Sequence, residues 1–238
     1  MQQKIQPGQY TLNGYTTKFD CGLFAKSTHN AFEIRLRNPL EIRRFSFPEG
    51  SEVVPDLFFA CCPQLEEVVL PEGMIEIGCE AFKNCSMLKR IELPSTVEHI
   101  GTGIIYKSGV TEVVSHSIYV GLTDDCLIDN LTRSLKAYMG NDEEVVIPLN
   151  VRDIAPYAFA GKENLRRVVI RENVVRVSGD AFADCPNLKE VEIADTVDYS
   201  RGAFAGREVD IVTVESEQTK DDIRLIGFNP RESESTEH

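Results

Sequence analysis

VVLPEGMIEIGCEAFKNCSMLKR (68–90) decides the architecture, because the same order of residue types returns along the chain. IELPSTVEHIGTGIIYKSG (91–109) follows it directly, and VVIPLNVRDIAPYAFAGKENLRR (145–167) and VVIRENVVRVSGDAFADCPNLKE (168–190) repeat it later. Pro48, Pro71 and Pro94 stand 23 residues apart, as do Phe59 and Phe82, then Phe159 and Phe182. A short fixed period with one β-branched run per unit marks a solenoid, in which each unit buries its apolar edge only against its neighbours.

Each unit reads as a small cycle. In LEEVVLP (65–71), Leu65, Val68 and Leu70 supply inward apolar positions on a run that favours an extended strand. Pro71 ends the strand because it has no N–H to donate. Met74 and Ile77 turn back toward the core, and Gly78 permits a tight bend. Phe82, Cys85 and Leu88 follow in steps of three, which predicts one short helical or 3₁₀ turn on the outer side, with the small Ala81 letting it sit close.

These residues resemble the BspA-like class of bacterial leucine-rich repeats. In that class a proline closes the strand, and an Ala-Phe pair with a cysteine three residues after the phenylalanine marks the return turn. The pattern stands here as LPEGMIEIGCEAFKNCSML, IPLNVRDIAPYAFAGKENL and AFADCPNL, and covers about residues 40–214. The segment 126–148 is similar to the hairpin-like insertion that joins blocks of such repeats. The resemblance implies a leucine-rich repeat solenoid, α/β or mostly β, as a curved right-handed stack with a parallel concave sheet. It also implies a surface role in adhesion or host contact. The expected organisation is an N-terminal cap (1–39), a first repeat block (40–114), an insertion (115–144), a second block (145–214) and a C-terminal cap with an acidic tail (215–238). All five belong to one continuous solenoid.

Composition narrows the function. The 238 residues are 42% hydrophobic and 26% charged, with a formal net charge of -13, an ordinary globular balance. That charge argues against nucleic acid, whose binders cluster Lys and Arg to neutralise phosphates. No apolar run approaches the roughly 18 residues of a membrane span. MQQKIQPGQY lacks the basic start and apolar run of a signal peptide, so the expected compartment is the cytoplasm. Secretion or a cell-surface site is the alternative if a signal was removed. Seven cysteines, an odd number without a compact framework, fit reduced thiols better than a disulfide scaffold.

The chain offers no catalytic set, and none is expected to bind a cofactor. Aligned in phase, Cys62, Cys85, Ser108, Lys162, Cys185 and Arg207 share one position. Lys162 and Arg207 could not ligate a metal there, so the column reads as a ladder of half-buried reduced thiols. The histidines His29, His99, His116 and His238 pair with no nucleophile and carboxylate at a useful spacing. Ser115-His116-Ser117 reads as a solvated turn, and Cys21 with His29 in the N-terminal cap is the one place an enzyme alternative could reside. Asp124-Asp125 and Asp142-Glu143-Glu144 lack a calcium-loop pattern.

What remains is a surface. Residues flanking the Val68-type position point away from the core in two columns. The first reads Arg44, Glu67, Arg90, Glu112, Glu144, Arg167, Glu190 and Ile211; the second reads Ser46, Val69, Glu92, Val114, Val146, Val169, Glu192 and Thr213. One meaning is a self-neutralising charge ladder beside valines chosen for strand propensity. The other is a docking face for a protein or peptide, with Val114, Val146 and Val169 as its apolar centre rimmed by Arg90, Arg167 and the glutamates. The face as a whole favours binding, because a solenoid's sheet is its largest continuous surface.

The insertion alternates apolar and polar residues in SIYVGL (117–122) and CLIDN (126–130), with Thr123-Asp124-Asp125 between them, and SLKAYMG (134–140) follows a turn at Asn130 through Arg133. This predicts a hairpin of two or three strands that bridges the repeat blocks. In the tail, IRLIGF (223–228) is the one apolar segment and is expected to cover the last repeat.

Overall fold

The computed structural model describes residues 39–47, 49–204 and 209–216 in full, and the backbone of five strands before them. The expectations for Cys21, His29, Arg207, His238 and the apolar tail segment 223–228 lie outside the described residues. The first five strands are β1 (Gln3–Lys4), β2 (Gly8–Leu12), β3 (Tyr15–Phe19), β4 (Leu23–Thr28) and β5 (Ala31–Leu36). All their pairings are antiparallel: β1 with β4, β4 with β5, and β2 with β3.

The repeats follow as coils of one longer and one shorter strand. They are β6 (Arg44–Ser46) with β7 (Val53–Val54), β8 (Glu67–Val69) with β9 (Glu76–Ile77), and β10 (Arg90–Leu93) with β11 (His99–Ile100). Then come β12 (Glu112–Ser115) and the insertion strands β13 (Val120–Thr123), β14 (Cys126–Asp129) and β15 (Ser134–Tyr138). The second block holds β16 (Glu144–Val146), β17 (Asp153–Ile154), β18 (Arg167–Ile170), β19 (Arg176–Val177), β20 (Glu190–Ala194), β21 (Asp198–Tyr199) and β22 (Asp210–Val214). This is a β-solenoid of stacked parallel coils. Its longer strands form one face in three pieces, β6-β8, β10-β12 and β16-β18-β20-β22, and its shorter ones form a second as β7-β9-β11 and β15-β17-β19-β21.

The outer turn is not helical. Among the described residues there is neither α nor 3₁₀ helix; the return runs through two left-handed residues per coil. These are Leu57 and Cys61, Glu80 and Asn84, Gly103 and Lys107, Tyr157 and Gly161, and Asp180 and Asp184, each pair four residues apart. A left-handed residue breaks a right-handed helix wherever it falls. The amides turn to the next coil instead: Leu57, Phe59 and Cys61 donate to the carbonyls of Cys79, Ala81 and Lys83 at 2.9, 2.9 and 2.8 Å. The step of three read from Phe82, Cys85 and Leu88 is therefore correct for burial, since all three are fully buried. It is wrong for conformation, because alternate residues bond between coils rather than within one. Gly78 is also not a bend residue in the left-handed region. A Cβ there would lie 2.5 Å from the backbone nitrogen and the carboxylate of Asp56, so glycine is required by the close approach of the preceding coil.

Phe59 and Phe82 stack at 5.4 Å, and Phe159, Phe182 and Phe204 continue the column in the second block at 4.8 and 5.2 Å. The insertion stands between two cores. All four residues of β14 are buried, with Leu127 in the first core and Cys126 and Ile128 in the second. The insertion is thus a partition with two dry faces, and its hairpin closes through Asp124 and Asp125, both left-handed as a two-residue turn between twisted strands requires.

Candidate binding face

The longer strands carry the two outward columns, because alternation puts Val68, Ile91, Val113, Val145, Val168 and Val191 inward. In the first column Arg44 faces Glu67, Arg90 faces Glu112, and Glu144, Arg167 and Glu190 face one another in register. Its last member is Asp210, not Ile211, and the second column ends on Val212, not Thr213. The final coil advances 20 residues from Glu190 to Asp210 where the preceding coil advances 23, and the sequence alone places its column members one residue late.

Charge pairing follows the register within each piece, with interruptions between β8 and β10 and between β12 and β16. Arg44 Nε sits 3.2 Å from Glu67, and Arg90 Nε 3.4 Å from Glu112. No ladder joins β8 to β10, and Arg90 turns to Glu92 at 3.1 Å rather than back to Glu67. His116 Nε2 lies 2.8 Å from Glu92. That hydrogen bond, and then the Arg90 charge, lowers the Glu92 pKa below the usual carboxylate value. In the second block Arg167 serves three carboxylates: it pairs with Glu144, reaches Glu190 at 2.8 Å and crosses to Glu192 at 2.5 Å.

The valines divide. Val69 and Val146 are 46% and 43% exposed and Val114 is half-buried, but Val169 is only 7% exposed. Arg167 precedes Val169 by two residues, and Glu192 is its cross-strand neighbour, so their bridge runs along two sides of the valine. The apolar patch is therefore carried by Val69 and Val146, with Val212 at 48% on the last strand.

Other candidates resolve into structure. Ser115 Oγ donates to the Val120 carbonyl and Ser117 Oγ to that of Val97, so neither hydroxyl is poised as a nucleophile. Cys62, Cys85 and Cys185 are fully buried rather than half-buried. Cys85 and Cys185 donate to the carbonyls of Phe59 and Phe159 at 3.1 and 3.0 Å. Burial pushes the thiol pKa values up, to about 12 for Cys62 and Cys126 and about 11 for Cys85. Lys162, in the same position, donates to the Gly140 carbonyl at 3.0 Å, and desolvation lowers its pKa. No group of three or more His, Cys, Asp or Glu side chains is placed to hold a metal ion among the described residues. No described helix is long and apolar enough to cross a membrane.

Residues 29–130 and 136–222 match the family described as BspA type Leucine rich repeat region, in six copies. Among solved structures, a leucine rich cell surface protein from Faecalibacterium prausnitzii superposes with a TM-score of 0.55 at 21% identity, over 76% of this chain and 62% of that one. The pneumococcal vaccine antigen PcpA superposes with a TM-score of 0.52 at 16% identity, over 78% of this chain and 65% of its own. At such identities the likeness is one of fold, and the chain spans less than two thirds of either neighbour. No curated protein matches it.

Proposed function

Because the chain belongs to the BspA-type leucine-rich repeat family, we propose that it is a non-catalytic recognition protein whose longer-strand face binds another protein or a peptide. The observation that carries this reading is the exposure of Val69 and Val146, which stand among charged columns on separate pieces of the longer-strand face. An apolar centre inside a polar, charged rim is the anatomy of an interface.

A surface location is the second part of the reading. It is supported by the fold likeness to a protein described as a leucine rich cell surface protein. Membrane fractionation and accessibility of the intact cell to antibody test it, and a purely cytoplasmic pool would remove it. The binding reading is tested by affinity capture with the wild type beside Val69→Asp/Val146→Asp. Both valines are exposed, so the variant should fold normally and lose its specific partners; partners retained in full would move the site off this face.

A further inference from the structure

The face is recessed at the same repeat position in both blocks, and the two recesses share their chemistry. One groove runs over the seam where β8 and β10 are not joined by ladder hydrogen bonds, and Val69, Glu72 and Glu92 line it. The other crosses the ends of β18, β20 and β22, and is lined by Val169, Glu172 and Glu192. These triplets have the same spacing, because both grooves follow the second column and the corner after it. The corner holds Pro71 or Pro94 in the first block and Arg171 in the second.

Charge and floor agree on the occupant. The first groove sets four glutamates against Arg90, with His116 beside them; the second sets three against Arg171, of which Glu192 is already bridged by Arg167 and Glu172 and Glu215 remain toward the groove. Glu66, Glu67 and Glu92 have basic neighbours, whereas Glu72 is met by Ser95, whose hydroxyl and amide donate to it at 2.9 and 3.3 Å. The floor is apolar: Val69 and Pro94 in the first groove, Ile170 and Ala194 in the second. Carboxylate walls above an apolar floor attract a cation that also carries apolar surface. Lysine and arginine do both, through their methylene stems. A second copy of this chain, at a formal charge of -13, would bring like charge to like.

We infer that the two grooves bind an extended, basic protein segment that lays alternate lysine or arginine side chains against Glu72 and Glu92, and then against Glu172 and Glu215. This deepens the reading of the longer-strand face as a protein-binding surface, and rests on it. The groove runs across strands spaced about 4.8 Å apart, so successive walls fall within reach of the long side chains of an extended chain.

The test uses the full chain and a labelled twelve-residue peptide alternating lysine with valine, followed by fluorescence anisotropy at low salt. Glu72→Gln/Glu92→Gln and, separately, Glu172→Gln/Glu215→Gln should each weaken binding about tenfold. Asp124→Asn/Asp125→Asn, which removes the same charge from the hairpin turn, should change it less than twofold. An alternating glutamate–valine peptide should not bind. If all three pairs weaken the complex equally, attraction to net charge alone explains it and the groove assignment is overturned. If the basic peptide does not bind while capture through Val69 and Val146 persists, the face is a binding site but the basic occupant is wrong. If neither binding is seen, both readings fall.

Discussion

Tyr138 stacks on Phe159 with ring centroids 5.1 Å apart and planes inclined by 28°. The insertion thereby supplies the ring that a preceding coil supplies elsewhere, and the second block's aromatic column starts on a residue outside the repeat. Its amide completes the substitution by donating to the Ala158 carbonyl at 2.7 Å, as amides of the outer turns do between ordinary coils. Its hydroxyl reaches Asp142.

Tyr138→Ala should therefore destabilise the chain by about 3–5 kcal/mol, the cost of emptying a buried aromatic site. Tyr138→Phe keeps the stack and loses one hydrogen bond, at about 0.5–1.5 kcal/mol. Urea unfolding of the two variants separates the contributions. An alanine variant within about 1 kcal/mol of wild type would mean that the second block stands without the insertion's ring.

The left-handed positions make a different kind of prediction. Leu57 has φ 58° and is 53% exposed, so its backbone strain can be altered with little loss of packing. Leu57→Val puts a β-branched side chain where Cβ already crowds the carbonyl, and should cost about 1–2 kcal/mol. Leu57→Gly removes the crowding at some cost in chain entropy, and should fall within about 1 kcal/mol of wild type. Thermal unfolding that ranks glycine below valine would contradict this conformation.

The period made most of the fold legible, because burial in a solenoid recurs with the sequence. Val68, Phe82, Cys85 and Leu88 were all recognisable as inward from spacing alone, and all are buried. Spacing does not specify backbone handedness. Leu57, Glu80 and Tyr157 are not residues that advertise a positive φ, so the outer turn read as helical when it is not. On the binding face the columns were legible, except where coil length changed before Asp210. The break between β8 and β10 was not, because Glu67 and Arg90 are as complementary in sequence as Glu144 and Arg167.

The thiols predict a pH dependence. Burial holds Cys62, Cys85 and Cys126 protonated well above their ordinary value of 9.0. Above pH 9 the unfolded chain sheds these protons while the folded chain retains them, so stability falls as pH rises toward the folded values of about 11 and 12. Denaturation midpoints should be level through neutral pH and decline from about pH 9 upward. Cys85→Ala should make that decline shallower. In the native state a thiol reagent at pH 8 should modify the exposed Cys61 and Cys79 before Cys62, Cys85, Cys126 or Cys185. Rapid labelling of Cys85 would show that its coil opens readily.

Val146 and Val169 are cross-strand neighbours of the same type, and they should respond in opposite ways. Val146 is 43% exposed, so Val146→Asp should change stability by less than about 1 kcal/mol. Val169 is 7% exposed, beside the Arg167–Glu192 bridge. A carboxylate there would be desolvated and would stand next to Glu192 while competing for the Arg167 guanidinium. Val169→Asp should cost about 3 kcal/mol or more, by the same logic that makes an uncompensated buried charge expensive. Val169→Thr, nearly the same shape without the charge, should recover most of that loss. Loss of partner binding in Val146→Asp with stability intact would identify a contact, whereas loss in Val169→Asp would report the fold. Equal stability of the two aspartate variants would show that the Arg167–Glu192 bridge opens freely in solution.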